Sequence, residues 1–156
     1  MEHDNGSKAL VDTKTATCTS WKTADGKEVI TSAANVHRYP NLKTVLAGEF
    51  VPEERAKKVS FDRMIFKTSS EVHPDIEYRS DVTMRADSLE YDITIINKGA
   101  STQTVTMGLN FNIAPGYKVT DKKGYTIATA DSVATAEWTI PVGKFKETTF
   151  FAKISK

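Results

Sequence analysis

The chain has 156 residues, 39% of them apolar and 26% charged, and a formal charge of +1 at pH 7. That length suits one domain with a real core, and the near-neutral balance gives no case for nucleic acid or an acidic partner surface. No apolar run approaches the ~20 residues that cross a bilayer, and a single cysteine, Cys18, requires no oxidising compartment for an internal disulfide.

The first eight residues are polar and read as a disordered tail, leaving 9–156 as one domain. The opening MEHDNGSKAL has no apolar h-region and does not read as a signal peptide, nor does it have the Arg- and Ser-rich character of a transit peptide. Alternating apolar, β-branched or aromatic residues predict strands at 9–17, 28–31, 43–50, 58–67, 76–85, 89–97, 104–113, 126–129, 134–140 and 147–154. Turn chemistry separates them at Asp25-Gly26, Ala86-Asp87, Lys98-Gly99, Pro115-Gly116, Lys123-Gly124 and Val142-Gly143. Helical composition occurs only at 52–57, enough for one or two turns. Many short strands with frequent turns predict an all-β, antiparallel β-sandwich.

The segment 88–113, SLEYDITIINKGASTQTVTMGLNFNI, carries the clearest pattern. Leu89, Tyr91, Ile93 and Ile95 alternate with Glu90, Asp92, Thr94 and Ile96, as in a strand with one buried face. Asn97-Lys98-Gly99 interrupts the run, and Val105, Met107, Leu109 and Phe111 resume it. The two runs predict an antiparallel hairpin with 97–103 as its connection and the six residues Tyr91, Ile93, Ile95, Met107, Leu109 and Phe111 on one core. Asn110 and Asn112 fall on the opposite face.

This segment resembles the galactose mutarotase-like superfamily, the aldose 1-epimerases and hexose-6-phosphate epimerases. There a strand L-x-Y-x-I/V followed by N-x-G precedes a strand ending L-H-x-Y-F. Here Leu89 to Ile93, Asn97-Lys98-Gly99 and Leu109-Asn110-Phe111-Asn112-Ile113 correspond. Upstream, Ser20-Trp21-Lys22 and Asp25-Gly26-Lys27-Glu28-Val29 are similar to an early hairpin of the hexose-6-phosphate epimerases. The two stretches cover a minor part of the chain, and neither is a stringent motif. Members of the superfamily are considerably longer, so the resemblance implies a reduced version or a fragment.

The resemblance also implies a reaction, anomer interconversion, in which a histidine protonates the ring oxygen and a late glutamate deprotonates the anomeric hydroxyl. Asn110 stands where that histidine would be, and an amide cannot donate a proton and regenerate at neutral pH. The family's H-G-F-A-R and GGIP segments have no match. Glu137 and Glu147 are the late glutamates available, with nothing to choose either. Catalysis is therefore not expected, and no cofactor is implied.

Other constellations are weaker. His3, His37 and His73 have no metal-ligand spacing. His37, in Val36-His37-Arg38-Tyr39-Pro40, fits a sugar-phosphate contact, though a solvated loop is the more frequent use of such a position. His73, before Pro74, reads as a turn residue between strands. Cys18 reads as a small buried hydrophobe. Trp138 alternates with Ala136 and Ile140 and suits the core, whereas Trp21, beside a turn, suits a partly covered sugar-stacking position. Lysines at 57–58, 122–123 and 144–156 read as solvated turn and terminal residues. Phe150-Phe151 puts one aromatic on an outer face, where it could anchor an interface.

These readings predict a mutarotase-like sandwich without catalysis, serving as a binding or scaffold subunit. Asn110, Asn112, Trp21 and His37 would form a vestigial sugar site of weak affinity, with Phe150 or Phe151 at a protein interface. Similar catalytically silent relatives in plants are accessory subunits of the photosynthetic NAD(P)H dehydrogenase-like complex. That likeness implies protein partners and a chloroplast location if a transit peptide is absent from this chain. A divergent epimerase and a carbohydrate-binding module are the competing classes.

Overall fold

The structure, a computed structural model, describes residues 1–12, 17–38, 43–47, 53–55, 57–67, 72–129 and 133–156. Side chains are described at 1–12, 18–30, 57–60, 76–77, 79–102, 104, 112–126 and 142–156. The strands in chain order begin with β1 (Lys8–Asp12), β2 (Thr17–Lys22), β3 (Glu28–Arg38) and β4 (Lys43–Ala47). Next come β5 (Glu53–Arg55), β6 (Lys58–Lys67), β7 (Val72–Met84), β8 (Leu89–Asn97) and β9 (Gln103–Ile113). The last four are β10 (Lys118–Thr120), β11 (Thr126–Thr129), β12 (Val133–Val142) and β13 (Glu147–Ser155). No helix occurs among the described residues.

Two antiparallel sheets form. The first runs β1-β2-β3-β9-β12. The second runs β6-β7-β8-β13-β10-β11, with β5 on the far edge of β6. Strand β4 joins both, pairing with β3 at one end and β6 at the other. The antiparallel sandwich read from the alternation is thus the observed architecture, as two packed sheets must be to bury one face of each.

Strand β8 shows why the pattern was legible. Leu89, Tyr91, Ile93, Ile95 and Asn97 are buried, while Glu90, Asp92, Thr94 and Ile96 are half-buried or exposed. Strand β13 repeats this with Phe150, Ala152 and Ile154 inward. From the first sheet Cys18, Trp21, Val29, Ile30 and Ile113 complete the core. Each such aliphatic or aromatic side chain contributes about 1.5–3 kcal/mol on burial. Where β1 and β2 shift register between Leu10 and Val11, the Cys18 N–H donates instead to Tyr91 Oη across the core at 2.9 Å.

The predicted β8–β9 hairpin does not form. Strand β8 pairs with β7 and β13, and β9 pairs with β3 and β12, so residues 98–102 carry the chain from one sheet to the other. Asn97 holds that crossing. Its Nδ2 donates to the carbonyls of Ser101 (2.8 Å) and Val142 (3.0 Å), and its Oδ1 accepts the Gly99 N–H (2.9 Å). Its own N–H donates to the Lys146 carbonyl at 2.8 Å. The β12–β13 connection also changes sheets here, so one buried amide ties two crossings together.

Three smaller expectations also change. The 52–57 helix is not formed: Glu53–Arg55 pairs with Lys58–Ser60 as the edge strand β5, while Pro52 and Ala56 lie outside the described residues. His73 and Pro74 are not in a turn but inside β7, beside a register shift against β6 at Ile65/Phe66, where a proline lacking an N–H is tolerated. The predicted free tail instead packs. Ser7 is buried, Asn5 Nδ2 donates to the Ala86 carbonyl at 2.7 Å, and Glu2 bridges to Lys8.

Candidate functional site

Strand β9 is an interior strand of the first sheet, between β3 and the edge strand β12. Asn110 is in register with Ala34 on β3 and Thr135 on β12. Asn112 is in register with Ser32 and Val133. Asn112 is exposed and its neighbour Ile113 is buried, so the phase of the two asparagines is the outer face of this sheet. Glu137, opposite Gly108, shares that phase two residues along from Asn110. Glu147 does not, because it is an exposed residue on β13 in the second sheet. The register therefore selects between the two glutamates that the sequence left equal.

The other two residues expected beside the asparagines are placed elsewhere. His37 is opposite Met107 on β9 and Thr44 on β4, one residue out of phase with Asn110 and Asn112. The side chains of His37 and Asn110 lie outside the described residues. Trp21 is 1% exposed and cannot be an open stacking platform. Its ring meets Tyr117 edge-on at 6.0 Å between centroids and 83° between planes. A tryptophan next to a turn looked half-covered in sequence, but β2 leads it inward opposite Ile30.

Tyr117, which sequence reasoning did not single out, lines a cleft of about 610 Å³ at one end of the sandwich. Lys27 Nζ and Lys156 Nζ stand 5.3 and 5.9 Å from its ring centroid. Asp25 also lines the cleft, and the Thr23 hydroxyl, with the backbone of Lys27, holds its carboxyl below the usual range. Two ammonium groups near one ring and a carboxylate bonded within its own turn make a solvated polar rim rather than a reactive centre.

The aromatic pair on β13 divides. Phe150 is 6% exposed and faces the core opposite Ile93, so it is not available as an interface anchor. Phe151 is half-buried on the outer face, opposite Asp92. The buried thiol of Cys18 donates to the Ser20 carbonyl at 3.1 Å. Burial pushes its pKa up to about 12, which makes it inert as a nucleophile. On the outer side of β7, burial acts to raise the Glu77 carboxyl, but hydrogen bonds and charge from Lys98 and Arg79 outweigh it and leave the group below its ordinary value. No cluster of three metal-ligating side chains occurs among the described residues.

Two packed antiparallel sheets form a β-sandwich, and its fold is that of galactose mutarotase-like proteins. The chain aligns with a galactose mutarotase related enzyme from Lactobacillus acidophilus at TM-score 0.65 and 11% identity, over 99% of this chain and 95% of that one. It aligns with a galactose mutarotase-like protein from Lactobacillus casei at TM-score 0.64 and 10% identity, over 99% and 98% respectively. Identities this low carry the fold alone. No protein-family model matches the chain, and no curated protein sequence matches it significantly.

Proposed function

We propose that this chain is a non-catalytic member of the mutarotase-like sandwiches, acting as a binding or scaffold subunit. The observation that carries the reading is the register around Asn110. Anomer interconversion needs an acid and a base on opposite sides of a sugar. At and beside the position where the resemblance places the acid stand Asn110, Asn112, Ala34, Thr135, Ser32 and Val133. None of these titrates near neutral pH. Glu137 shares that phase by register, and none of the residues paired beside Asn110 is an acid for it to work against. What remains is a polar surface suited to weak hydrogen bonding of hydroxyl groups, on the order of millimolar for a sugar. The assembly that the resemblance points to is the chloroplast NAD(P)H dehydrogenase-like complex.

The test has two arms. Polarimetry or NMR exchange on the pure protein should find no acceleration for glucose, galactose or their 6-phosphates. A robust rate that disappears on Asn110→Ala overturns the non-catalytic reading in favour of a divergent epimerase. Native electrophoresis of extract from the protein's own source should place it in a large complex. Migration as a lone monomer overturns the scaffold role.

A further inference from the structure

Phe151 lies where β10 ends. Thr120 is the last residue of β10 and pairs with Lys153 on β13, so the space beside Phe151 is filled by the turn at 121–124. The result is a groove of about 490 Å³ between that turn and the outer face of β13. Lys118, Lys122, Lys123 and Lys153 line it together with Phe151. We infer that this groove docks an acidic segment of a partner protein, its carboxylates meeting the four lysines and an apolar side chain meeting Phe151. The inference deepens, and rests on, the reading of the chain as an assembly subunit.

Charge is the first argument. None of the four ammonium groups has an ion pair among the described residues. The two acids in the groove are already engaged. Asp121 Oδ1 accepts the N–H groups of Lys123 and Tyr125, both at 2.9 Å, and Glu90 Oε2 accepts Arg85 Nε at 3.0 Å. The formal charge of +1 conceals this segregation, which is why composition gave no hint of an acidic partner.

Rigidity is the second. The Asp121 bonds and Gly124, at φ +87°, fix the turn, so Lys122 and Lys123 are presented from an ordered backbone. Strand pairing fixes Lys118, Lys153 and Phe151. The backbone therefore needs little ordering on binding, and the entropic cost falls on the lysine side chains.

The surroundings favour a short protein segment over a long polyanion. A nucleic-acid track needs successive stacking faces along a continuous cationic path. Here a single recessed aromatic is bordered by exposed Asp92, directly across the strand on β8. A phosphate backbone crossing that border would be repelled, whereas a peptide can place a neutral residue there.

The probe is a fluorescein-labelled peptide with four glutamates around one leucine, followed by anisotropy against the full chain at low and moderate salt. Saturable, salt-sensitive binding is expected. Lys122→Glu with Lys123→Glu should weaken it at least about tenfold, and Phe151→Ala several-fold, whereas Lys144→Glu on the distant turn should not. Protection of the Cys18 thiol confirms that each variant is folded. Absence of saturable binding, indifference to Phe151→Ala, or equally tight capture of oligo(dT) overturns the proposal. In the native source, a triple Lys122→Glu, Lys123→Glu, Phe151→Ala chain that still enters a large complex sinks the groove and spares the scaffold reading. A wild-type chain found only as a monomer sinks the scaffold reading, while the peptide titration judges the groove independently.

Discussion

Replacing Asn97 should be among the most damaging single changes at any polar position in this protein. Asn97 is fully buried, and its side chain makes three hydrogen bonds, to Ser101, Val142 and Gly99. In Asn97→Leu all three are lost. At about 1 kcal/mol net for each, the cost is about 3 kcal/mol. The penalty is not evenly spread. Ser101 is exposed and Gly99 half-buried, so water can replace the amide there, whereas the Val142 carbonyl sits in the core and is left unpaired. Against a total stability of roughly 5–15 kcal/mol this is a large fraction. Urea unfolding followed by circular dichroism should show a lower midpoint with an unchanged slope, since the surface exposed on unfolding barely changes. Asn97→Asp sharpens the test. It keeps the acceptor for Gly99 but aims a carboxylate at two carbonyl oxygens, so its folded-state pKa is raised above the unfolded value. The acid form, able to donate one bond, prevails at low pH, so the variant's deficit should be smallest below the unfolded carboxyl pKa and grow as pH rises through the folded one. A loss below about 1 kcal/mol for Asn97→Leu, or a pH-independent deficit for Asn97→Asp, would refute the view that this amide staples the two sheet crossings.

Two further outcomes follow from the titratable groups. Glu77 has a depressed folded pKa, so its contribution is present above the ordinary carboxyl range and lost as pH falls through the depressed value; Glu77→Gln should reduce stability at pH 7 and flatten its decline below about pH 4, as measured by thermal unfolding across pH. Cys18, with its pKa pushed up to about 12 and its side chain buried, should react with Ellman's reagent only through opening of the sandwich, so labelling should be slow in buffer and rapid in denaturant; fast labelling of the native chain would contradict the burial.

Much of the fold was legible because alternation is a property of one strand. Leu89, Tyr91, Ile93 and Ile95 declare which side of β8 is buried, and no partner need be known to read it. The same holds for Phe150, Ala152 and Ile154 on β13. Turns at Gly26 and Gly124 were legible for a similar reason, since φ values of +84° and +87° suit glycine locally.

Which strand lies beside which is a different kind of information. Residues 98–102 could close a hairpin or cross between sheets, and both choices bury the same apolar faces. The crossing is decided by Asn97, whose hydrogen-bond partner Val142 is distant in sequence, and by β7 and β13 taking both edges of β8. The candidate sites followed the same divide. The shared phase of Asn110 and Asn112 could be read from their spacing, but the phase of His37 depended on its register with Met107, and the burial of Trp21 on what packs over β2. The lysines around Phe151 looked like ordinary turn residues, because nothing in a linear chain shows that β10 ends beside that ring. Local sequence fixes the direction in which each side chain points; long-range pairing, set by the summed packing of the whole core, decides what it meets.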